Sequence, residues 1–300
     1  MTMTQLRRAL AVTATTVSLA LALSACGGGS ASTDDTAEVA ANPDFAAGTT
    51  MAQLAKADRI TIGTKFDVPL FGLKGLDGEP AGFDVEIAKI IAGNLGIAAG
   101  DIDWVETPSK VRDEYLAQGK ADLITATYTI TDERRTRVTF AGPYYNAGST
   151  LMVKSDNEEI TGPKSLKKSG LKVCTATGSV DAEVIKEYLS KPESQLVQFD
   201  VFSKCAEALR TGQVDAVTTD SAILLGFVST SKGKFRTVGD TFYDQPFGIG
   251  IKKGDVEFCE FVNDVLTESV SDGSYAKAWE KTVGDAAPKT PELPRLGPCE

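Results

Sequence analysis

The sequence predicts an α/β fold in which short, mostly parallel strands are covered by amphipathic helices. Two observations support this fold class. From Arg59 onward, short apolar runs with strand character alternate with segments whose apolar residues recur at helical spacing. One helix–glycine–aspartate–strand pattern also occurs in each half of the chain. Such alternation is typical of parallel sheets packed between helices.

The first half supplies three strands and two helices. In order, the pattern predicts a strand over 60–65, a turn between Gly78 and Gly82, a helix over 84–94, a strand over 103–105, a helix that Ser109 caps, and a buried strand over 123–127. The second half repeats this alternation. It predicts a strand over 171–174, a helix over 180–189, a strand over 196–201, a helix over 205–209 and a strand over 216–218.

The two halves resemble each other where a helix passes into a strand. The segment 116–127 (LAQGKADLITAT) aligns with 209–220 (LRTGQVDAVTTD). Convergence on a common helix-to-strand connection is the alternative to a true repeat. In either case Thr127 and Asp220 stand at equivalent strand ends. Because ligands bind beyond the carboxyl ends of strands in open α/β sheets, we expect these two residues to face one cleft.

The N-terminus has the pattern of an export signal. Arg7 and Arg8 precede an apolar run that is too short to span a membrane, so residues 1–25 are predicted to be a signal peptide. The run ends in Leu23-Ser-Ala-Cys26, which resembles a bacterial lipobox; the alternative is an ordinary cleavage site with an incidental cysteine. With Cys26 lipidated, we expect an anchor at the extracytoplasmic face of the cell membrane, followed by a flexible tether to about residue 55.

Charge and composition exclude several function classes. The chain has 31 Lys and Arg, 41 Asp and Glu, and no His. Removing residues 1–25 leaves 29 basic residues and a formal charge of −12, which disfavours nucleic acid as a partner. The absence of His excludes His-dependent catalysis and most zinc sites. We therefore expect no metal and no cofactor.

Four cysteines follow Cys26 and form no CxxC motif. An even number in an exported protein indicates two disulfides, for which three pairings exist. We favour Cys174–Cys205 and Cys259–Cys299, because the first two lie in the middle third of the chain and the others near its end. Four buried free thiols are the alternative. The second bridge would fix the Pro-rich tail, residues 286–300.

Six motifs in sequence order resemble the polar amino-acid solute-binding proteins of ABC importers. The motifs are GFDVEIA at 82–88, TYTITDER at 127–134, FAGPYY at 140–145, the pair TGSV at 177–180 and VTTD at 217–220, and FGIGI at 247–251. Together they cover about residues 59–285. The resemblance implies the type II periplasmic-binding-protein fold, with two lobes and two crossover hinge strands. Lobe 1 would contain 56–146 and 247–285, and lobe 2 would contain 147–246.

The resemblance also implies the site. Arg134 would bind the α-carboxylate of an amino acid with its guanidinium fork, helped by Thr129 and by the amides of Thr177 and Gly178. Asp220 would bind the α-ammonium group; capping the next helix is its alternative role. Without the family motif, Arg134 to Arg137 would be interpreted as an ordinary solvated basic run. The remaining predicted contacts are Lys65, Phe83, Arg112, Thr127 and Tyr128.

Two cations, Lys65 and Arg112, are expected to determine which amino-acid side chain the ligand carries. Lys65-Phe66-Asp67 resembles the glutamate-binding lipoproteins of actinobacteria, in which a cation could neutralise a distal carboxylate, and Arg112 is a second candidate. We therefore expect L-glutamate or L-aspartate rather than glutamine or asparagine. The protein would act as a monomer and deliver its ligand to the permease of an ABC transporter.

Two other function classes are compatible with this fold. An enzyme on the same scaffold would need an acid/base pair, and none is recognisable among Glu79, Glu86, Glu106 and Asp132. We therefore expect a binding protein and no enzymatic activity. A ligand sensor would need a membrane kinase as its partner, because the chain carries no recognisable signalling domain.

Overall fold

A computed structural model describes residues 37–76 and 78–300. The predicted signal peptide, Cys26 and the first part of the predicted tether lie outside the described residues. The helices are α1 (Thr50–Ala57), α2 (Phe83–Asn94), α3 (Arg112–Ala117), α4 (Asp132–Arg135), α5 (Asp181–Val184), α6 (Pro192–Gln195), α7 (Phe202–Thr211), α8 (Ser221–Thr230), α9 (Val256–Ser271) and α10 (Ser274–Thr282), with 3-10 turns at Ala99–Asp101, Pro163–Lys167 and Ile185–Tyr188.

The strands alternate with these helices as the sequence predicts. They are β1 (Ile60–Thr64), β2 (Asp67–Val68), β3 (Gly72–Lys74), β4 (Pro80–Ala81), β5 (Ile102–Glu106), β6 (Leu123–Thr129), β7 (Val138–Lys154), β8 (Val173–Ala176), β9 (Leu196–Phe199), β10 (Ala216–Asp220), β11 (Phe235–Val238) and β12 (Asp244–Lys252). Within the described residues, nine of them form one mixed sheet in the order β5-β1-β6-β12-β7-β10-β8-β9, with β11 paired to β7, while β2, β3 and β4 form a small separate sheet.

The two ends of the large sheet are parallel, and its middle is antiparallel. Strands β5, β1 and β6 are parallel to one another in the first lobe, and β10, β8 and β9 are parallel in the second. Between them lie the long strands β7 and β12, which pair antiparallel with each other. The α/β class and the two-lobed arrangement with two crossover strands are therefore confirmed.

The crossover strands pass between the lobes without a break. Strand β7 pairs with β12 up to Gly148 and with β10 from Ser149, close to the predicted lobe boundary at residue 146. We expected Pro143 and Pro246 to interrupt this pairing. Pro143, which follows a cis bond after Gly142, lies in the stretch 142–144 where the register between β7 and β12 shifts, as expected, whereas Pro246 is paired regularly opposite Asn146.

The repeated pattern adopts the same structure in both lobes. Asp122 donates its amide to the Thr61 carbonyl, and its carboxylate accepts the Thr61 amide at 2.8 Å. Asp215 makes the same pair of contacts with Lys172, at 2.8 and 2.7 Å. In each lobe the aspartate thus fixes the start of a central strand to its neighbour, and the strand that follows ends at the cleft.

The predicted tether is shorter than the sequence suggested. We expected flexibility up to residue 55, but residues 37–49 pack along lobe 1 and α1 begins at Thr50. The Ala40 amide donates to the Gly93 carbonyl at 2.8 Å, and the ring of Phe45 meets the edge of Phe261. A side chain at Gly93 would overlap the Glu38 carbonyl, so this glycine lets the segment lie directly on α2. The few apolar residues of the segment are too widely spaced to indicate this packing.

Both favoured disulfides are present. Cys174–Cys205 links β8 to α7 in lobe 2, and Cys259–Cys299 links α9 to the C-terminal tail. The tail contains neither helix nor strand, and it lies against the hinge, where the Gly297 amide donates to the Gly142 carbonyl at 2.7 Å. In the chain-entropy model, loops of 31 and 40 residues correspond to about 3–4 kcal/mol each.

Candidate functional site

The candidate site lies where the central strands of the two lobes end. Thr127, two residues before the end of β6, and Asp220, the last residue of β10, both line a cavity of about 10 Å³ between the lobes. Five predicted residues are brought together there: Arg112, Thr127, Thr129, Arg134 and Asp220. Eight lining residues were not predicted as site residues: Ser109, Ser179, Val180, Asp181, Phe202, Thr219, Ile223 and Gln245.

Arg134 bridges the two lobes. It lies on α4, whose N-cap Thr131 accepts the Arg134 amide, and its side chain is buried. One guanidinium nitrogen donates to the Thr129 carbonyl at 2.6 Å, and the other donates to the Gly178 carbonyl of lobe 2 at 3.0 Å. Burial lowers the pKa of Arg134, yet arginine stays charged at any physiological pH. This charge is therefore fixed at the junction of the lobes.

Arg112 and Tyr128 form a stacked pair beneath the cavity. The guanidinium carbon of Arg112 lies 4.1 Å from the centroid of the Tyr128 ring, and one Nη donates to the Ala126 carbonyl at 2.7 Å. Burial and then the charge of Arg134 lower the pKa of Arg112 to about 10. Among the described residues, its buried Nε has no hydrogen-bond partner. Arg112 thus retains a donor that a ligand could use.

Tyr128, one of the predicted contacts, lies against the two guanidinium groups. Its ring is fully buried, with Arg112 and Arg134 both stacked on it, and Phe140 packs edge-on against it. Its hydroxyl donates to Asp113. The negative face of the ring stabilises both guanidinium groups in a dry environment.

Lys65 is buried beside the cavity. Its ammonium donates to the Ser109 hydroxyl at 2.9 Å and lies 5.2 Å from the centroid of the Phe202 ring. Burial, together with the charge of Arg112, lowers the pKa of Lys65 to about 7, a shift that the carboxylates of Asp67 and Asp220 oppose. Ser109 therefore supports Lys65 and does not cap α3, whose N-cap is Val111.

Asp220 caps helix α8 and also lies in the cavity wall. Its Oδ1 accepts the Ile223 amide at 2.8 Å, so the residue caps α8, and it is also buried in the cavity wall. Burial raises the pKa of the Asp220 carboxyl to about 7, an effect that the Ile223 amide opposes. The charged form would be favoured by a cation placed in the cavity.

A buried carboxylate that the sequence analysis did not assign holds Thr127 in place. Asp84, in the first turn of α2, accepts the Thr127 amide at 2.7 Å and the Tyr144 hydroxyl at 2.5 Å. Thr127 has φ of +47°, which is unusual for a β-branched residue, and these contacts offset the strain. The resulting turn directs the Ala126 and Thr127 carbonyls towards Arg112, at 2.7 and 3.3 Å.

Gln245 links the lobes through side chains. Its carbonyl oxygen accepts the Thr129 hydroxyl at 2.7 Å, and its amide donates to Ser149 at 2.7 Å and to Asp181 at 2.8 Å. Burial raises the pKa of Asp181, and its other oxygen has no hydrogen-bond partner among the described residues. Neither Gln245 nor Asp181 lies in a distinctive sequence pattern, so only the fold brings them to the site.

Two predicted contacts from lobe 2 differ from expectation. The Thr177 amide donates to the Phe199 carbonyl at 2.7 Å, so it serves the β8–β9 connection and is not directed at a carboxylate. Gly178 contributes its carbonyl to Arg134, and its backbone contacts Lys110 of lobe 1 so closely that a Cβ would lie 2.7 Å from the Lys110 Cα. Both residues lie at the lobe junction.

Phe83 does not line the site. Its side chain is fully buried between the rings of Phe71, Tyr275 and Trp279, with centroid distances of 6.1, 5.4 and 5.2 Å. As the first residue of α2, it points into the core of lobe 1, whereas the next residue, Asp84, points towards the cleft. Phe83 therefore does not line the cavity, and its place in the protein is the core of lobe 1.

A larger groove opens beside the cavity. It has a volume of about 1030 Å³ and shares Ser109, Arg134, Ser179 and Val180 with the cavity wall. Ligand pockets are typically 300–1,000 Å³, so the small inner cavity cannot admit a solute until the lobes separate, whereas the groove offers an approach. Within the described residues, no group of three or more His, Cys, Asp and Glu side chains is placed to hold a metal.

Two α/β lobes on paired crossover strands, with buried charges of both signs at their junction, define a two-lobed solute-binding protein. Among the residues described, no helix is long and apolar enough to cross a membrane. The chain belongs to the bacterial extracellular solute-binding proteins, family 3, which it matches over residues 60–285. The family relationship predicted from the motifs is confirmed.

Relatives within this family bind different amino acids. The chain is 37% identical over 235 residues to the glutamate-binding protein GluB of Corynebacterium efficiens, covering 75% of this chain and 79% of that protein. It is also 37% identical over 235 residues to the ABC transporter glutamine-binding protein GlnH of Bacillus subtilis, covering 78% and 84%. An ancestral arginine-binding protein bound to glutamine has a similar structure, with a TM-score of 0.70, 35% identity, and coverage of 76% of this chain and 98% of that chain.

Proposed function

We propose that this protein is the substrate-binding lipoprotein of an ABC importer, that it binds L-glutamate, or L-aspartate, between its lobes, and that it delivers the ligand to the membrane permease. The observation that carries the proposal is a cluster of three buried cations: Arg112 and Arg134 line the cavity, and Lys65 lies behind its wall with its ammonium on Ser109. Free glutamate has two carboxylates and one ammonium group. Glutamine has only one carboxylate, and would leave more of this positive charge unmatched.

Each charged group of glutamate has a partner of suitable chemistry. Arg134, with a planar fork of donors at the lobe junction, is suited to the α-carboxylate. Asp220 and the unbonded oxygen of Asp181 are suited to the ammonium group. The free Nε of Arg112 and the ammonium of Lys65 are suited to the distal carboxylate.

The known relatives do not decide between glutamate and glutamine, because the identity is 37% to both a glutamate-binding and a glutamine-binding protein. The charge of the site therefore carries the choice. Isothermal titration with glutamate, aspartate, glutamine and asparagine tests it. We expect an acidic amino acid to bind at least tenfold more tightly than its amide; tighter binding of glutamine or asparagine would contradict the proposal.

A matched pair of lysines isolates the role of Lys65. Lys65→Met should weaken glutamate binding by roughly 10- to 30-fold, or about 1.4–2 kcal/mol, while glutamine binding changes less than about threefold. Lys74 also stacks on a phenyl ring, that of Phe66, but is exposed. Lys74→Met should therefore leave both affinities unchanged. Equal losses for glutamate and glutamine in Lys65→Met would show that Lys65 does not recognise the distal carboxylate.

The proposed anchor is tested separately. Replacing Cys26 by Ser should release the exported protein from the membrane fraction and abolish labelling with radioactive palmitate, because no other segment has the predicted acceptor pattern. Membrane retention of the Cys26→Ser protein would contradict lipid anchoring without affecting the proposed ligand.

A further inference from the structure

The short segment 65–69, which follows β1 in lobe 1 and includes β2, contacts lobe 2 at three points. The Lys65 ammonium lies over the Phe202 ring, and the Asp67 Oδ2 accepts the Ser203 amide at 2.9 Å. At the third point, Pro69 packs so closely on α8 that a Cβ on Gly226 would overlap the Pro69 carbonyl oxygen. We call this segment the latch segment.

Asp67 of lobe 1 supplies a hydrogen-bond acceptor for the N-terminus of helix α7 in lobe 2. Helix α7 begins after Val201, which cannot cap it with a side chain, so its first amides require acceptors from elsewhere. The Asp67 carboxylate reaches the second residue of that helix from the opposite lobe. A carboxylate at a helix N-terminus is stabilised both by the hydrogen bond and by the positive end of the helix dipole.

Gly226 serves the same contact from the other side. It lies inside α8, where glycine is less favourable than alanine for the helix itself. Because the Pro69 carbonyl occupies the space that a side chain would need, the glycine is explained by the contact between the lobes. Opening about the hinge strands would break this contact together with the Asp67 cap.

We propose that Asp67 and Gly226 determine ligand affinity as positioning residues outside the ligand cavity, by stabilising the closed arrangement of the lobes. The inference rests on the proposed binding of an amino acid between those lobes. A ligand that needs the closed state binds with an affinity scaled by the population of that state. Loss of a closing contact therefore weakens every ligand by one common factor and leaves selectivity unchanged.

Substitutions of Asp67 test the cap. Asp67→Ala should weaken glutamate, aspartate and glutamine by the same factor, roughly tenfold, and should act through faster dissociation. Asp67→Asn should stay within about threefold of wild type, because Asn caps helices nearly as well as Asp. The control is Asp200→Ala, which removes a carboxylate beside the same helix that belongs to lobe 2 and accepts the Val201 amide. It should leave affinity within about twofold.

The same series excludes a direct electrostatic role. Asp67 is negatively charged and close enough to Lys65 to raise the pKa of that lysine. If Asp67 acted only as a counter-charge, both Asp67→Asn and Asp67→Ala would change the binding of acidic ligands relative to glutamine, because they would alter the charge that Lys65 presents. A change in selectivity of this kind, or an affinity of Asp67→Ala within twofold of wild type, would overturn the proposal.

Substitution of Gly226 tests the close approach. Gly226→Ala should weaken all ligands by roughly 30-fold or more, and small-angle scattering should show no decrease in the radius of gyration when glutamate is added. The ligand-free variant should melt at or above the wild-type temperature, because alanine favours the helix. Gly100→Ala is the control, since nothing lies within 4 Å of a Cβ at that position.

The outcomes separate this inference from the proposed function. Wild-type protein that binds amino acids, together with a Gly226→Ala variant that binds and compacts normally, would refute the latch alone. Wild-type protein that binds none of the amino acids would refute the proposed function and, with it, the role of the latch segment.

Discussion

The two lobes contribute opposite charges to the site. Lobe 1 contributes the cations Arg112 and Arg134 to the cavity wall, with Lys65 beside them and the buried carboxylate of Asp84 outside the wall, whereas lobe 2 contributes the carboxylates of Asp181 and Asp220. Burying a charge without an opposite charge beside it is unfavourable, so the charged groups of each lobe need partners that the lobe itself does not supply in full. A zwitterion with an extra carboxylate would balance both sets of charges. The division of charge therefore suits a ligand that draws the lobes together.

The scaffold beneath this division is the same in both lobes. Asp122 and Asp215 make equivalent contacts with Thr61 and Lys172, which lie at or just before the start of the neighbouring strand, and each aspartate is followed by a strand that leads to the cleft. What differs is the residue at the strand end, Thr127 in lobe 1 and Asp220 in lobe 2. The repeated frame fixes where the site lies, and residues at the strand ends and in the following loops fix its chemistry.

Among the substitutions considered for the two lobes, removal of the Arg134 cation of lobe 1 should have the largest effect on ligand affinity. Arg134→Ala should weaken every amino acid by roughly 1,000-fold, about 4 kcal/mol, because a buried α-carboxylate would lose its partner. Calorimetry with the full panel measures this. Arg59→Ala, which removes an exposed arginine paired with Asp103, is the matched control and should bind normally. Normal binding by Arg134→Ala would mean that the carboxylate lies elsewhere.

The corresponding change in lobe 2 should have a smaller effect. Asp220→Asn removes the charge that would pair with the ammonium group, and we expect roughly 30- to 100-fold weaker binding of all amino acids. Because Asn also caps helices, α8 should remain stable and the melting temperature should stay within a few degrees. A large loss of stability with unchanged affinity would show that Asp220 serves only as a cap.

The buried carboxylates Asp84 in lobe 1 and Asp220 in lobe 2 should make the stability of the protein depend on pH. Burial raises the pKa of Asp84 and of Asp220 to about 7, so the native state keeps protons that the unfolded chain releases above about pH 4. The free energy of unfolding should therefore fall as the pH rises from about 4 through 7. Lys65, whose pKa burial lowers to about 7, adds the opposite slope only above that pH.

Asp84→Asn should flatten this dependence in the ligand-free protein. Thermal melts followed by circular dichroism at pH 5, 6 and 7 would show the wild-type melting temperature falling by a few degrees and the variant falling less. Asp103→Asn, an exposed carboxylate, should keep the wild-type slope. Equal slopes for wild type and Asp84→Asn would mean that Asp84 is not protonated in the native state.

Periodicity and motifs predict the strands and loops that carry the site, but not every residue that lines the cavity. Thr127 and Asp220 could be placed because strand ends follow directly from the repeated pattern. Asp181 and Gln245 could not, because they are 64 residues apart and meet only through the hinge pairing. Phe83 was expected in the cavity wall because the sequence indicates a helix without fixing which of its first residues faces the cleft. Ser109 was assigned as a helix cap because a serine before a helical pattern usually caps it. Its actual contact with Lys65 depends on tertiary packing, which the local sequence does not indicate.

The packing of residues 37–49 on lobe 1 changes the distance over which the protein can act. With a lipid at Cys26, as proposed, only the ten residues 27–36 would separate the anchor from this packed segment. Ten residues span at most about 35 Å when fully extended. A receptor confined to so thin a layer above the bilayer would be concentrated next to a permease in the same membrane. Even a weak docking contact would then suffice for transfer.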